Sequence, residues 1–180
     1  NSEAFKAAGG KSTLDAPRWL TSIGLDAYEY EAGNGIASSA ATLLAIGNEA
    51  QKYGIKMSFH TPYFISLSGV EEEKRLNSIK YILDSAAAVN AMGGNRIVVH
   101  TGSCGKISRG RALELAIDTM KLAINALDSE GLGDIHICPE TMGKVNQLGT
   151  LEEVLALCKI DERLIPCIDF GHLNARDMGI

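Results

Sequence analysis

The 180-residue sequence lacks the features that mark secreted and membrane proteins. No run of about 18 consecutive apolar residues is long enough to span a membrane, and no basic segment followed by an apolar one forms a secretory signal. Cysteine is scarce and forms no CxxC pair, so reduced core thiols are expected at Cys104, Cys138, Cys158 and Cys167. These absences predict a cytoplasmic protein with no membrane partner.

Basic residues are also in deficit, with 17 Lys and Arg against 22 Asp and Glu and a net charge of −5. Proteins that bind nucleic acids usually carry a basic surplus, so the charge alone argues against a DNA or RNA partner. The 46% of hydrophobic residues is ordinary for a protein with a packed core and excludes intrinsic disorder.

What the sequence contains is a regular alternation of strand-like and helix-like segments. Amphipathic stretches with helical spacing separate the strand-like runs, and an earlier helix is predicted over residues 13–23. The strand-like runs cover residues 27–30, 56–60, 96–100, 135–140 and 164–169. Their ends at 30, 60, 100, 140 and 169 are spaced like βα units, which predicts a parallel sheet with right-handed crossovers.

Two parallel architectures have this repeat, a doubly wound sheet and a TIM barrel. A Rossmann sheet would carry GxGxxG after its first strand, and none of these strands does. Five strands are too few to close a (β/α)₈ barrel of about 250 residues. The sequence therefore predicts one α/β domain over residues 1–180, an incomplete TIM barrel of about five βα units without its first strand and its last two or three. The missing initial methionine, and an end just after an expected functional loop, suggest a fragment.

Residues of the type that binds metals finish the predicted strands. They are His60, His100, Glu140 and Asp169, with His172 three residues further on. Because the carboxyl ends of parallel barrel strands meet at one mouth, we expect these five side chains to converge. Imidazole and carboxylate together suit Zn²⁺, with Mn²⁺ or Fe as alternatives.

Other candidates have ordinary structural explanations. His136 lies about 13 Å before Glu140 along the same strand and is expected to be structural. The glycine-rich segment 101–105 lacks the lysine and hydroxyl of a P-loop, and Cys104 within it has no partner that would make it a nucleophile. The charges of segment 71–75 fit a helix start.

The segments around the strand ends resemble a known family. The motifs FHTPYFISL (59–67), VHTGS (99–103), PET (139–141) and IDFGHLNAR (168–176) resemble successive signatures of the endonuclease IV family. These are zinc-dependent apurinic/apyrimidinic endonucleases of the xylose-isomerase-like barrel superfamily. Residues 1–3, 11–17 and 24–30 are similar to the family's start just after its first strand, so the resemblance extends over essentially the whole chain.

The resemblance implies a site of up to three zinc ions, with further ligands from later strands of the family. His60 and His100 would hold one ion, and Glu140, as the catalytic residue, would bridge it to a second. Asp169 would also bind the second ion, and His172 would reach a third.

The resemblance also implies contacts with double-stranded DNA at an abasic site, through Tyr63, Ser66 and Asn34. The sequence departs from the family in the loop 32–35, which lacks the arginine of many relatives, and at Ser66, where some carry Asn. Three Zn²⁺ would add six positive charges at the mouth, which reconciles DNA binding with the net charge of −5.

The activity that the resemblance implies is hydrolysis of the phosphodiester 5′ to an abasic site, by water activated at clustered metal ions. Two alternatives stay open. One is a divalent-metal sugar isomerase or epimerase of the same superfamily. The other is an inactive partial barrel, whose edges at residues 27–30 and 164–169 would favour self-association. No obligate protein partner is expected.

Overall fold

A computed structural model describes residues 3–179 and contains a parallel sheet of four strands. The strands are β1 (Ala27–Glu31), β2 (Lys56–His60), β3 (Arg96–His100) and β4 (His136–Glu140). They lie side by side in chain order, β1-β2-β3-β4. A doubly wound sheet would reverse direction at its switch point, so this order confirms a barrel-type α/β fold. Within residues 3–179 the sheet does not close on itself.

Helices follow or precede each strand. Short helices α1 (Glu3–Ala7) and α2 (Ala16–Ser22) come before β1, and a 3-10 turn, Thr13–Asp15, leads into α2. The remaining helices are α3 (Ala40–Lys52), α4 (Glu72–Ala91), α5 (Arg109–Ser129), α6 (Leu151–Cys158) and α7 (Phe170–Arg176). No helix in the described part of the chain is long and apolar enough to cross a membrane.

Hydroxyl side chains fix where the long helices begin. Ser39 accepts the backbone N–H of Thr42 at the start of α3, and Ser108 accepts that of Arg111 at the start of α5. Each such bond satisfies one of the amides that a helix start leaves unpaired, and contributes about 1 kcal/mol.

Alternation along the strands separates the core from the inner face of the sheet. Ile97 and Val99 of β3 are fully buried in the hydrophobic core, as is Phe59 of β2. Burial of each such side chain contributes about 1.5–3 kcal/mol. Successive side chains of a strand point to opposite faces of the sheet, so His60, which follows Phe59, and His100, which follows Val99, lie on the inner face.

The predicted fifth strand, residues 164–169, is wrong as a continuous strand. It makes two isolated parallel bridges to β4, Ile137 with Leu164 and Glu140 with Cys167. Ile165 and Cys167 donate to the carbonyls of Ile137 and Pro139. Between the bridges, the regular ladder requires an N–H from residue 139, and proline has none. Pro139 therefore interrupts the ladder while leaving the segment beside β4.

The segment after this run, expected to be a functional loop, is the helix α7. Asp169 caps it, since its Oδ1 accepts the backbone N–H of His172 at 2.7 Å. Asn1 and Ser2, which belong to the opening part of the resemblance, and Ile180 lie outside the described residues.

Candidate metal centre

Three strand ends bring His60, His100 and Glu140 together. In the parallel register His100 lies opposite Glu140, and His60 lies opposite Val98, two residues behind His100. Nε2 of His100 is 3.1 Å from Oε2 of Glu140, and Nε2 of His60 is 3.5 Å from the same oxygen. The two imidazole rings are 5.0 Å apart and nearly perpendicular. One carboxylate oxygen therefore faces two imidazole nitrogens.

The other oxygen of Glu140 faces a second group. Nδ1 of His172 is 3.5 Å from Oε1 of Glu140 and 3.6 Å from Oδ2 of Asp169. Each of the two groups has its ligand atoms within 4.8 Å of one another, which is close enough for a shared ion. All five residues expected at the mouth thus lie together, with Glu140 common to both groups.

The burial of Glu140 and the lack of a partner, within the described chain, for one of its oxygens favour a cation bound at this carboxylate. The residue is 5% exposed, and its Oε2 has no hydrogen-bond partner among residues 3–179 despite the nearby imidazoles. A buried carboxylate oxygen without a partner is costly, because it has lost its hydration. A divalent ion between Oε2 and the two Nε2 atoms would remove that cost.

Hydrogen bonds set the tautomers of two histidines. Nδ1 of His60 lies 3.0 Å from the Thr61 carbonyl, which can only accept, so Nδ1 carries a proton and Nε2, which faces Glu140, is the nitrogen whose lone pair is available to a metal ion when the ring is neutral. Nδ1 of His172 donates in the same way to the Thr141 carbonyl at 2.9 Å. His172 would then ligate through Nε2, although it is Nδ1 that faces Glu140 and Asp169. In the first group the Nε2 atoms already face the carboxylate, so its geometry suits a metal ion better.

The electrostatics of the first group also favour positive charge. Burial opposes protonation of His60, but the carboxylate of Glu140 and the carbonyl of Thr61 outweigh it and raise the pKa of His60 to about 9. Burial likewise favours a neutral Glu140, yet the imidazoles of His100 and His60 lower the pKa of that carboxyl to about 2. The centre therefore keeps an ionised carboxylate that a proton or a metal ion must balance.

Sequence reasoning missed Glu31, the last residue of β1. Its Oε1 lies 3.7 Å from Nδ1 of His60 and accepts the N–H of Gly33 at 2.8 Å. The strand was predicted to end at Tyr30, one residue too early. Extending the alternation to Glu31, which lies on the same face as Glu29, would have placed a carboxylate at this strand end too.

An open cleft of about 850 Å³ surrounds these groups. Tyr63 lies in it, 55% exposed, with its ring stacked on His100 at 5.2 Å. Gly33 lies directly under that ring, where a Cβ would collide with it. The cleft is lined by Glu29, Glu31, His60, Tyr63, His100, Glu140, Met142, Gly143, Lys144, Gln147, Asp169, His172 and Ala175.

The other expected DNA-contacting residues are not part of that lining. Ser66 is half-buried, and its backbone N–H donates to Ser78 Oγ at 2.9 Å. Asn34 is exposed on the loop after β1. His136 lies at the opposite end of β4 from Glu140, with its Nδ1 3.3 Å from the Arg163 carbonyl.

The cysteines take no part in the centre. All four are free thiols. Burial raises the pKa of Cys138 to about 11 and that of Cys167 to about 12, so neither thiol forms a nucleophilic thiolate near neutral pH.

Part of the chain is similar in sequence to known proteins. An uncharacterized protein of Methanocaldococcus jannaschii is 36% identical over 132 residues, which cover 72% of this chain and 47% of the relative. A probable endonuclease 4 of Malacoplasma penetrans is 32% identical over 126 residues, covering 67% of this chain and 42% of the relative. The chain thus spans less than half the length of these relatives.

Solved structures share the fold at lower identity. Endonuclease IV from Thermus thermophilus superposes with a TM-score of 0.62 and 22% identity, covering 94% of this chain and 67% of that one. D-psicose 3-epimerase from Clostridium cellulolyticum reaches 0.75 with 16% identity, covering 94% and 62%. The profile of one family, described as xylose isomerase-like TIM barrel, matches residues 17–179. With that match over nearly all of its length, the chain belongs to the xylose isomerase-like TIM barrel family.

Proposed function

We propose that this chain carries the metal centre of a zinc-dependent apurinic/apyrimidinic endonuclease, which cleaves DNA 5′ to an abasic site. The observation that carries the proposal is the buried Oε2 of Glu140, which accepts no hydrogen bond from the described residues and lies within 3.5 Å of two imidazole nitrogens. The similarity to proteins named probable endonuclease 4 supports the same activity.

The residues divide into two ligand sets that share Glu140. Nε2 of His60, Nε2 of His100 and Oε2 of Glu140 would hold one ion; Oε1 of Glu140, Asp169 and His172 would hold another. Bound there, divalent zinc would lower the pKa of water toward neutrality and stabilise negative charge on the attacked phosphate.

The protein's own part is to fix these ligands and shape the cleft. The Thr61 carbonyl holds the His60 ring by its Nδ1–H, and the Tyr63 ring covers His100. The exposed part of the Tyr63 ring offers an apolar surface for a sugar without a base. An abasic nucleotide has no base to unpair, so its entry into the cleft costs little.

A divalent-metal sugar epimerase is the second candidate, and the carboxylates of the cleft favour it. Glu29 and Glu31 line the same cleft as the histidines, and the Glu31 carboxylate, 3.7 Å from Nδ1 of His60, is a base of the kind that could remove a proton from a sugar carbon. The two imidazoles facing one carboxylate nevertheless fit a multi-zinc phosphoesterase better than a carboxylate-rich sugar site.

Incision of a duplex with an abasic-site analogue tests the proposal. We expect the zinc-loaded full protein to cut it, and Glu140→Gln to lose more than about 100-fold in rate because a shared ligand is lost. Glu114→Gln on the exposed side of α5 is the control and should cut normally. A folded protein that leaves the duplex intact and epimerises a ketohexose would decide for the second candidate.

A further inference from the structure

The loop between β4 and α6 brings a lysine into an acidic cleft. The lining includes four carboxylates, those of Glu29, Glu31, Glu140 and Asp169. Among the described lining residues Lys144 is the one Lys or Arg. Lys144 is exposed, and its Nζ makes no hydrogen bond or ion pair within residues 3–179. Its charge is therefore available to a ligand.

Arg176 holds the loop from one side. Its Nε donates to the Met142 carbonyl at 2.8 Å, and its Nη2 donates to the carbonyls of Lys144 at 2.9 Å and Gln147 at 2.7 Å. Hydrogen bonds from a charged donor are stronger than neutral ones, so three of them fix the backbone on both sides of Lys144.

Arg109 holds the same loop from the other side. Its guanidinium donates to the carbonyls of Val145 at 2.7 Å and Gln147 at 2.9 Å, and a two-point ion pair with Glu153 at 2.8 Å anchors it. The loop backbone is thus immobilised by two arginines, while the Lys144 side chain stays free.

The loop also touches the metal centre. A Cβ built on Gly143 would meet Cδ2 and the carbonyl oxygen of His172 at 3.4 Å, so the backbone next to Lys144 packs against a candidate ligand. The lysine therefore belongs to the same structural unit as the centre.

We propose that Lys144 binds a backbone phosphate of the DNA strand that enters the cleft, and that Arg109 and Arg176 present it for this purpose. The inference rests on the proposed nuclease function and deepens it. The carboxylates of the lining repel a polyanion, and the ammonium group that the immobilised loop carries into the cleft offsets that repulsion as a point charge. Arg109 and Arg176 act as positioning residues, since their guanidinium groups donate hydrogen bonds to the loop carbonyls and do not contact the DNA themselves.

Salt-dependent binding of an undamaged, fluorescently labelled duplex tests the contact without cleavage. In the zinc-loaded full protein, Lys144→Met should lower the slope of log Kd against log salt by about 0.9 and raise Kd roughly five- to tenfold near 0.1 M salt. Lys144→Arg should retain the slope. Lys121→Met, an exposed lysine of α5, is the matched control and should leave both unchanged.

The outcomes separate this contact from the proposed activity. Incision by the wild type, together with an unaltered salt slope in Lys144→Met, would overturn the role of Lys144 and leave the nuclease proposal standing. A reduced slope in a protein that does not incise abasic sites would support the contact and refute the activity. A wild type with no salt-dependent DNA binding would overturn the contact.

Discussion

At the scale of single residues, the centre depends on how side chains around the ligands restrict them. Tyr63 stacks on His100, with ring centroids 5.2 Å apart and planes 17° from parallel, and also meets the edge of His60 at 5.6 Å. Such aromatic contacts contribute about 0.5–1.5 kcal/mol beyond burial. Tyr63 thus orients an imidazole whose Nε2 faces Glu140.

We predict that Tyr63→Ala weakens zinc binding about tenfold, because the His100 ring loses the surface that orients it. Tyr63→Phe keeps the stacked ring and should bind zinc as the wild type does. Competition with a chromophoric chelator measures both affinities. The neighbouring exposed Phe64→Ala is the control, and an equal loss there would mean that Tyr63 has no specific role.

The residues themselves could be read from the sequence, but their environment could not. His60, His100 and Glu140 each end a strand, and the carboxyl ends of parallel strands are expected at the same edge of the sheet. The two-residue stagger between His60 and His100 depends on sheet register, which no local pattern specifies. The partnerless oxygen of Glu140 likewise follows only from three-dimensional packing.

At the scale of elements, α6 shows how one carboxylate can fix a helix and a loop at once. Glu153 accepts the N–H groups of Gly149 and Thr150 and pairs with Arg109, while Thr150 caps the helix in return. Burial would raise the pKa of Glu153, but Arg109 and the two N–H groups outweigh it and lower the pKa to about 2.

This lowered pKa predicts a pH dependence of stability. Because the folded state binds the proton of Glu153 less readily than the unfolded chain, the stabilisation is complete above about pH 5 and is lost as pH falls toward 2. We expect it to reach about 2–3 kcal/mol, allowing for the partial exposure of Arg109.

Denaturant unfolding of the wild type and of Glu153→Gln between pH 7 and pH 3 measures the effect. The difference between the two should be largest at pH 7 and shrink toward pH 3. Glu152→Gln, the adjacent exposed residue in the first turn of α6, should show little difference at any pH. A Glu153→Gln difference that is constant with pH would contradict the assignment.

Sequence alternation predicted most strands and helices, and it failed where the structure of a segment depends on its neighbours in the fold. The strands at 56–60 and 96–100 have the bounds that alternation gave them. The run 164–169 looks like a strand by composition, but its ladder is broken by a proline on the neighbouring strand. The motif around residues 170–176 was interpreted as a functional loop, but the segment is a helix whose start is capped by Asp169.

At the scale of the whole molecule, the sheet is a sector of a barrel. Successive βα units place β1 to β4 in chain order, and because the strands are parallel their carboxyl ends lie at the same edge of the sheet. Within residues 3–179, β1 pairs with β2 on one side only, and its other edge has no strand beside it. Self-association through such an edge stays a prediction.

The distribution of charge matters more than its total at this scale. A net charge of −5 argued against nucleic acid, yet the carboxylate-rich cleft contains two groups of residues that could hold divalent cations and, within residues 3–179, one lysine without a partner. Bound cations invert the local potential, so a globally acidic chain is compatible with a phosphate-binding mouth.

The most direct test is anomalous diffraction at the zinc absorption edge from crystals of the zinc-loaded protein. We predict a peak bounded by Nε2 of His60, Nε2 of His100 and Oε2 of Glu140, about 2.0–2.2 Å from each atom. A zinc-saturated crystal with no peak between these atoms, or with the two imidazoles turned toward other partners, would contradict the metal centre.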